Sequence, residues 1–262
     1  MATHYNSMIH IDGTVRALFL HNAISHLGSL LAARDRYESQ VRGILQSIES
    51  TKSGQALIAA IKKPIWIIPM KNPWERQSTS TPLGHGRSII EFTPDTWILG
   101  SPVLKYVTYE TGGRKDFTPG GDRADEVLFH ELVHSMRIGH GVTRDRSMGD
   151  GFDNEEEFCA VLLANIYISE IGRKPRLSHT GFASLPRYNQ VFTVFYDRYT
   201  MQIARCINSM PRLARSFAAV DCPFNPVYEY FLYNIPFLIG PAIYRHRKPH
   251  LITRMGIDES MW

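Results

Sequence analysis

The sequence has only three cysteines in 262 residues, Cys159, Cys206 and Cys222. They form neither a C-x-x-C pair nor a disulfide framework. This cysteine usage favours a protein that works in a reducing compartment. Internal repeats, low-complexity segments and any linker strong enough to split the chain are also lacking. We therefore predict a single domain over residues 1–262.

Long uninterrupted apolar runs are absent too. Residues 227–244 are strongly apolar but contain Glu229, Asn234, Pro236 and Pro241, so we expect burial in the protein and no membrane span. The N-terminus shows no basic-then-apolar signal peptide. Charge of one sign is not concentrated either: the net charge is +4 and the basic residues are scattered, which predicts no nucleic-acid partner.

The most informative stretch runs from Asp122 to Gly139 and contains His130, Glu131 and His134 in an H-E-x-x-H pattern. Asp122 can cap the start of a helix and Gly139 can end it, so we predict a helix between them. Residues four apart lie on one face of a helix, and both imidazoles could bind the same metal ion. Glu131 could then act as general base for a water that this ion activates.

A catalytic zinc site needs a third protein ligand, and the sequence offers two candidates. His140 has the spacing of an H-E-x-x-H-x-x-G-x-x-H pattern, but Arg137 stands at the glycine position, where the chain must turn sharply. Glu157 lies in the first turn of a second predicted helix, which Asp153 or Asn154 can cap, and a carboxylate from a second helix completes a His₂Glu set. We predict Zn²⁺ bound by two histidines and one glutamate, His130, His134 and Glu157, and keep His140 as the alternative to Glu157.

Supporting roles have several candidates. Glu126, Asp150 and Asp153 could accept a hydrogen bond from the second nitrogen of a ligating histidine. His179 could donate a hydrogen bond to the oxyanion that develops during hydrolysis. Three tyrosines are alternatives for this donor: Tyr188, Tyr196 and Tyr199.

The remaining stretches predict an α+β fold, mainly helical, with a small mixed sheet beside the metal-binding helix. We expect an N-terminal helical scaffold, a core with the sheet and metal site, and a C-terminal helical part, over residues 1–63, 64–180 and 181–262. The scaffold should contain separate helices at 14–34 and 34–48 and a third from Ser53, and Pro211 should divide the C-terminal part into two helices. Strands are predicted at 64–70 and 87–94, with a loop at 71–86 between them.

The Glu157-Phe-Cys-Ala stretch resembles the Glu-Phe-x-Ala stretch of the anthrax lethal factor type of zinc metalloprotease, in which this glutamate is the third ligand. Residues 37–180 are also similar in pattern to the zinc metalloprotease effectors that bacteria inject into host cells, including those that cleave host MAP kinases. The shared pattern comprises Ser50-x-Lys-Ser-Gly-x-x-Leu-Ile, an apolar strand, Gly84-His-Gly-Arg-Ser-Ile-Ile-Glu-Phe and H-E-L-V-H. The sequence departs from the lethal factor type at Val161, where a supporting carboxylate is expected, and around Met148, where a tyrosine is missing.

This resemblance implies a zincin-like, gluzincin-type endopeptidase, namely a bacterial effector or toxin secreted without a cleaved signal peptide. It would act on a protein or peptide in the target-cell cytoplasm, with a delivery chaperone or an immunity protein as a possible partner. Residues 88–93 are the candidate edge strand for pairing with an extended substrate. The alternatives are a metallo-hydrolase of a cell-wall peptide or another amide, and a non-enzymatic module that holds zinc for structure.

Overall fold

The computed structural model describes residues 3–14, 27–71, 78–97, 123–149, 151–179, 184–186 and 194–234. The strands in this part of the chain are β1 Thr3–His4, β2 Ile9–Ile11, β3 Ile65–Ile68, β4 Thr79–Gly84 and β5 Arg87–Glu91. The helices are α1 Leu27–Glu49, α2 Lys52–Ala60, α3 Ala124–His140, α4 Glu155–Glu170, α5 Val194–Ser209, α6 Pro211–Ala218 and α7 Pro226–Asn234, with one 3₁₀ turn at Pro94–Trp97. Five residues named above lie outside the described residues: Asp122, Asp150, Tyr188, Pro236 and Pro241.

The five strands form one mixed sheet in the order β1-β2-β3-β5-β4. The two central pairings, β2 with β3 and β3 with β5, are parallel, whereas β1 and β4 are antiparallel to their neighbours. Alternating isoleucines of the three central strands are fully or almost fully buried, as the period of two in a strand requires: Ile9, Ile11, Ile65, Ile67 and Ile90. The predicted α+β class with a small mixed sheet is confirmed.

The edge of the sheet differs from the prediction. β5 lies between β3 and β4, so the prediction that residues 88–93 form the edge was wrong. Among the described strands, β4 is the outermost strand on that side of the sheet. Residues 79–84 were expected to form a loop because they are polar and include Pro82. An edge strand tolerates proline, because backbone N–H groups on its outer side need no partner strand. The turn from β4 to β5 contains His85 and Gly86, both with positive φ (53° and 75°), as a two-residue hairpin loop prefers.

Two helix boundaries also differ. α1 is one continuous helix through residue 34, where two helices were expected. α3 ends at His140 and is capped by Gly141 in the left-handed region (φ 65°), so the predicted end at Gly139 was wrong. Gly139 instead lies in the last helical turn, next to the β4–β5 turn, where a Cβ added at Gly86 would lie 3.2 Å from the Gly139 carbonyl oxygen. The predicted break at Pro211 is confirmed, since α6 begins there.

The buried helix α3 lies at the centre of the molecule. It packs against β4 and β5 on one side and against α4 on another, with α1 and α2 also in contact. Residues 126–137 are all buried, which is why the helix is apolar on several faces rather than on one stripe. Charged side chains on α3 are therefore held inside the protein, where each needs a partner. No helix in the described ranges is both long and apolar enough to cross a bilayer.

Candidate metal centre

His130 and His134 lie one turn apart on the face of α3 that meets α4. Their Nε2 atoms are 3.0 Å apart, and the two residues are 1% and 9% exposed. Because residues four apart share one face of a helix, both rings lie on the same side of α3. The surrounding apolar residues of α3 keep them in the interior. Both nitrogens therefore point to the same small volume.

Glu157 enters this volume from the first turn of α4. Asn154 caps that helix by accepting a hydrogen bond from the Glu157 backbone N–H at 2.8 Å, which fixes the position of the carboxylate. Glu157 Oε2 lies 3.2 Å from the Nε2 of His130 and 3.2 Å from the Nε2 of His134. Because the three ligand atoms lie within 4.8 Å of one another, one cation could contact all of them.

The chemistry of these donors fits zinc, which is commonly held by imidazole nitrogen and carboxylate oxygen, with three protein ligands in catalytic sites. No other group of three or more histidine, cysteine, aspartate or glutamate side chains in the described part of the chain has such a geometry. His140, the alternative third ligand, does not belong to this group. Its Nε2 lies 2.8 Å from the carbonyl oxygen of Ala60, at the exposed end of α3.

The electrostatics of the three donors suit a bound cation. Burial lowers the pKa of His130 to about 3, which keeps this ring neutral. Burial alone would also lower the pKa of His134, but hydrogen bonds to Glu156 and Glu157 raise it to about 10. Burial would raise the pKa of Glu157, but hydrogen bonds to both histidines hold it far below its ordinary value. A metal ion would displace the proton from His134, as metal binding to histidine generally does.

Glu131 lies beside the three donors and lines the same cleft. Burial raises its pKa to about 7, although the nearby His134 and a hydrogen bond from Ser80 act in the opposite direction. The Ser80 hydroxyl on β4 lies 2.8 Å from Glu131 Oε2 and 2.8 Å from the Glu131 carbonyl oxygen. β4 thus fixes the orientation of the carboxylate that the sequence predicts to be the general base.

The cleft has a volume of about 480 Å³. β4 forms one wall, the segment after α3 forms another, and the metal donors lie at the base. Its lining residues from these walls are Ser78, Thr79, Ser80, Pro82, Ile138, Thr143 and Asp145. A cleft of this size between an edge strand and a metal centre can hold part of an extended chain.

His179 also lines the cleft. Its Nε2 is 3.0 Å from Glu157 Oε2 and its Nδ1 is 2.9 Å from Asp153 Oδ2. The ring stacks on His130, with centroids 5.7 Å apart. The two tyrosine candidates that the structure describes, Tyr196 and Tyr199, lie instead among buried aromatic rings of the core.

Glu156 is the acceptor for His134 that the sequence did not identify. Its Oε1 lies 3.2 Å from His134 Nδ1. Of the predicted acceptors, Glu126 accepts a hydrogen bond from Arg173 and Asp153 accepts one from His179. The Nδ1 of His130 is buried and has no hydrogen-bond partner within the described residues.

The arrangement combines three convergent donors with a neighbouring carboxylate that can accept a proton, in a cleft open to a ligand. Such a combination is suited to hydrolysis by a metal-activated water. Comparison of the chain with models of known protein families, with curated proteins and with solved structures finds no match.

Proposed function

We propose that this protein is a zinc-dependent endopeptidase with a zincin-like, gluzincin-type site. The observation that carries the proposal is that His130, His134 and Glu157 converge to contact distance and that Glu131 lines the same cleft. A structural zinc site has no need of a fourth, proton-accepting side chain and is usually closed. The cleft at this centre therefore favours catalysis over a purely structural role.

In this proposal, bound Zn²⁺ supplies Lewis acidity, which polarises a carbonyl group and makes a water more acidic. Glu131 accepts the proton of the attacking water and returns it to the leaving amine. A pKa near neutrality suits a group that must both accept and release a proton, and burial raises the pKa of Glu131 to about 7. Ser80 holds this carboxylate toward the cleft through its hydrogen bond.

His179 is the donor that we propose for the developing oxyanion. Its ring lines the cleft, and Asp153 fixes the ring through Nδ1 at 2.9 Å. The other nitrogen, Nε2, lies 3.0 Å from Glu157 Oε2, and in this proposal its N–H turns from Glu157 to the oxyanion once Glu157 binds the metal. This donor would compensate for the tyrosine that is missing relative to the lethal factor type.

An extended peptide is the proposed substrate. No described strand pairs with the outer side of β4, which lies beside the metal centre. A peptide strand added there would make main-chain hydrogen bonds while its side chains enter the cleft. The resemblance to injected effectors supports a protein substrate in the cytoplasm of a target cell. It also supports secretion without a cleaved signal peptide and association with a delivery chaperone or an immunity protein.

The test compares the zinc-loaded wild-type protein with Glu131→Gln, which keeps the volume of the side chain but cannot act as a base. Each protein is added to a target-cell lysate, and new N-termini are mapped across the proteome. We expect cleavage by the wild type and a rate lower by about 10²–10⁴-fold in the variant, while zinc content and the melting curve stay close to those of the wild type.

Equal cleavage by Glu131→Gln would refute the general-base assignment. A zinc-loaded wild type that cleaves no protein but degrades cell-wall material would support the hydrolase alternative. Zinc binding without turnover of either material would support the non-enzymatic module.

A further inference from the structure

Arg137 is among the most buried charged side chains in the described part of the chain. It lies on α3 one turn after His134 and is 1% exposed. Its Nε donates to both carboxylate oxygens of Glu156 at 2.9 Å. Its two terminal nitrogens donate to Ser209 Oγ at 3.0 Å and to the Val142 carbonyl oxygen at 2.9 Å. A guanidinium this deep in a protein is tolerated only when it is paired and hydrogen-bonded in this way.

The carboxylate oxygens of Glu156 make two further contacts besides those with Arg137. Oε1 lies 3.2 Å from His134 Nδ1, and Oε2 accepts a hydrogen bond from the Arg144 backbone N–H at 3.2 Å. An ionised carboxylate can only accept, so the contact with His134 requires the proton on Nδ1. The Nε2 of His134 is then the nitrogen that is free to bind a metal.

The same pair holds a wall of the substrate cleft. Backbone hydrogen bonds also join the segment from Val142 to Arg144 to the two helices. The Val142 N–H donates to the Arg137 carbonyl oxygen of α3 at 3.2 Å. The Glu156 N–H of α4 donates to the Arg144 carbonyl oxygen at 3.0 Å. Thr143, in the middle of the segment, lines the cleft. The ligand His134 and the cleft wall are therefore positioned by one buried ion pair.

We propose that Glu156 is a positioning residue for the metal centre, which orients His134 and fixes its Nε2 toward the ion, and that Arg137 anchors Glu156 and the 142–144 wall in the same arrangement. The inference rests on the proposed function only for the presence of the metal ion, and its test does not require peptide cleavage. Partners of this kind generally change metal affinity by about 10–100-fold when they are removed.

The experiment measures Co²⁺ binding by the full chain in competition with a chromogenic chelator, together with the visible absorption spectrum of bound Co²⁺. The first variant is Glu156→Gln, which removes the charge but keeps the size of the side chain. We expect Co²⁺ affinity to fall by about 10–100-fold and the spectrum to change, because His134 loses its charged acceptor.

Glu155→Gln is the matched control. Glu155 precedes Glu156 on the same turn, is 5% exposed and pairs with Arg205, but it contacts no metal donor in the described structure. Its loss should lower stability without changing Co²⁺ affinity or the spectrum. A merely structural role for Glu156 would give the two variants the same behaviour.

Glu156→Gln leaves the charge of Arg137 buried without its partner and could fail to fold. The double variant Glu156→Gln/Arg137→Met avoids this problem because no unpaired charge remains. We expect it to fold and to show the same loss of Co²⁺ affinity. Wild-type affinity and spectrum in the folded double variant would overturn the inference.

The outcomes separate this inference from the proposed function. A wild type that binds Co²⁺ but cleaves no peptide contradicts the endopeptidase proposal, while the binding comparison still decides the role of Glu156. A wild type that binds no Co²⁺ overturns both, since no metal centre would remain to be positioned.

Discussion

Three consecutive glutamates on the first turn of α4 have three different roles because successive helical residues are turned by about 100°. Glu155 is buried and pairs with three arginines, Arg144, Arg146 and Arg205. Glu156 binds Arg137 and His134, and Glu157 lies against the imidazoles of the metal centre. All three also favour the positive end of the helix dipole, so composition alone does not separate them.

The choice of third ligand leads to a prediction about metal content. Glu157→Ala removes a carboxylate from the centre of the donor group, and we expect zinc affinity to fall by more than about 100-fold, beyond the usual effect of a supporting residue. His140→Ala removes only a hydrogen bond to the Ala60 carbonyl at the exposed end of α3, so zinc content should be unchanged. Metal analysis of the two purified variants after dialysis measures the difference.

Zinc retained by Glu157→Ala and lost by His140→Ala would reverse the assignment. The comparison is informative because both variants shorten a polar side chain to alanine. Melting curves recorded alongside show whether any loss of zinc accompanies unfolding.

At the scale of helices and strands, the sequence predicts the elements whose pattern is local and strong. β3 and β5 contain apolar runs, and α3 has two histidines four residues apart and an apolar flank. The sequence alone therefore predicts these three elements. β4 could not be predicted, because an exposed edge strand needs no apolar alternation. The role of Ser80 on that strand was missed for the same reason.

The supporting partners of the metal donors were harder to predict than the donors. In the sequence, Arg137 is notable only because another family has glycine at this position, and a buried arginine has no signature in a single sequence. Arg137 lies one turn after His134 on α3, and Glu156 lies on α4. The two side chains form an ion pair only when α3 and α4 pack together. Long-range pairing of this kind depends on tertiary structure rather than on local propensity.

The junction between α1 and α2 provides a stability prediction. Gly54 lies in the first turn of α2, and its N–H donates to Thr51 Oγ1 at 2.9 Å. A Cβ added there would lie 1.8 Å from the Ile48 carbonyl oxygen. Backbone atoms would have to move, so Gly54→Ala should lower the free energy of unfolding by about 2–3 kcal/mol. Chemical denaturation, read as a shift of the transition midpoint, measures the effect.

Gly43→Ala is the control for this prediction. Gly43 lies within α1, and a Cβ added there meets nothing within 4 Å. Alanine favours a helix interior over glycine, so the free energy of unfolding should rise by about 0.5–1 kcal/mol. Equal effects of the two substitutions would show that the α1–α2 junction is looser than the structure indicates.

At the scale of the whole molecule, the central helix concentrates ionisable groups in the core. His130, Glu131, His134 and Arg137 are all less than one-tenth exposed, on a helix that packs against both the sheet and α4. Burying such groups is unfavourable unless partners compensate for lost hydration. Arg137 has its compensation in Glu156, whereas the two histidines and Glu157 would be compensated best by a bound cation.

Metal binding should therefore stabilise the whole fold and not only the site. An ion that binds the folded state alone, at about 100 times its dissociation constant, adds roughly 2.7 kcal/mol to the free energy of unfolding. For a chain of this size, each kcal/mol corresponds to about 2–4 °C, so chelation of zinc should lower the melting temperature by about 5–10 °C. Glu157→Ala should melt at the same temperature with and without chelator, while Glu155→Gln should keep the full difference. An unchanged melting temperature of the zinc-loaded wild type after chelation would show that the three donors hold no ion strongly enough to matter for the fold.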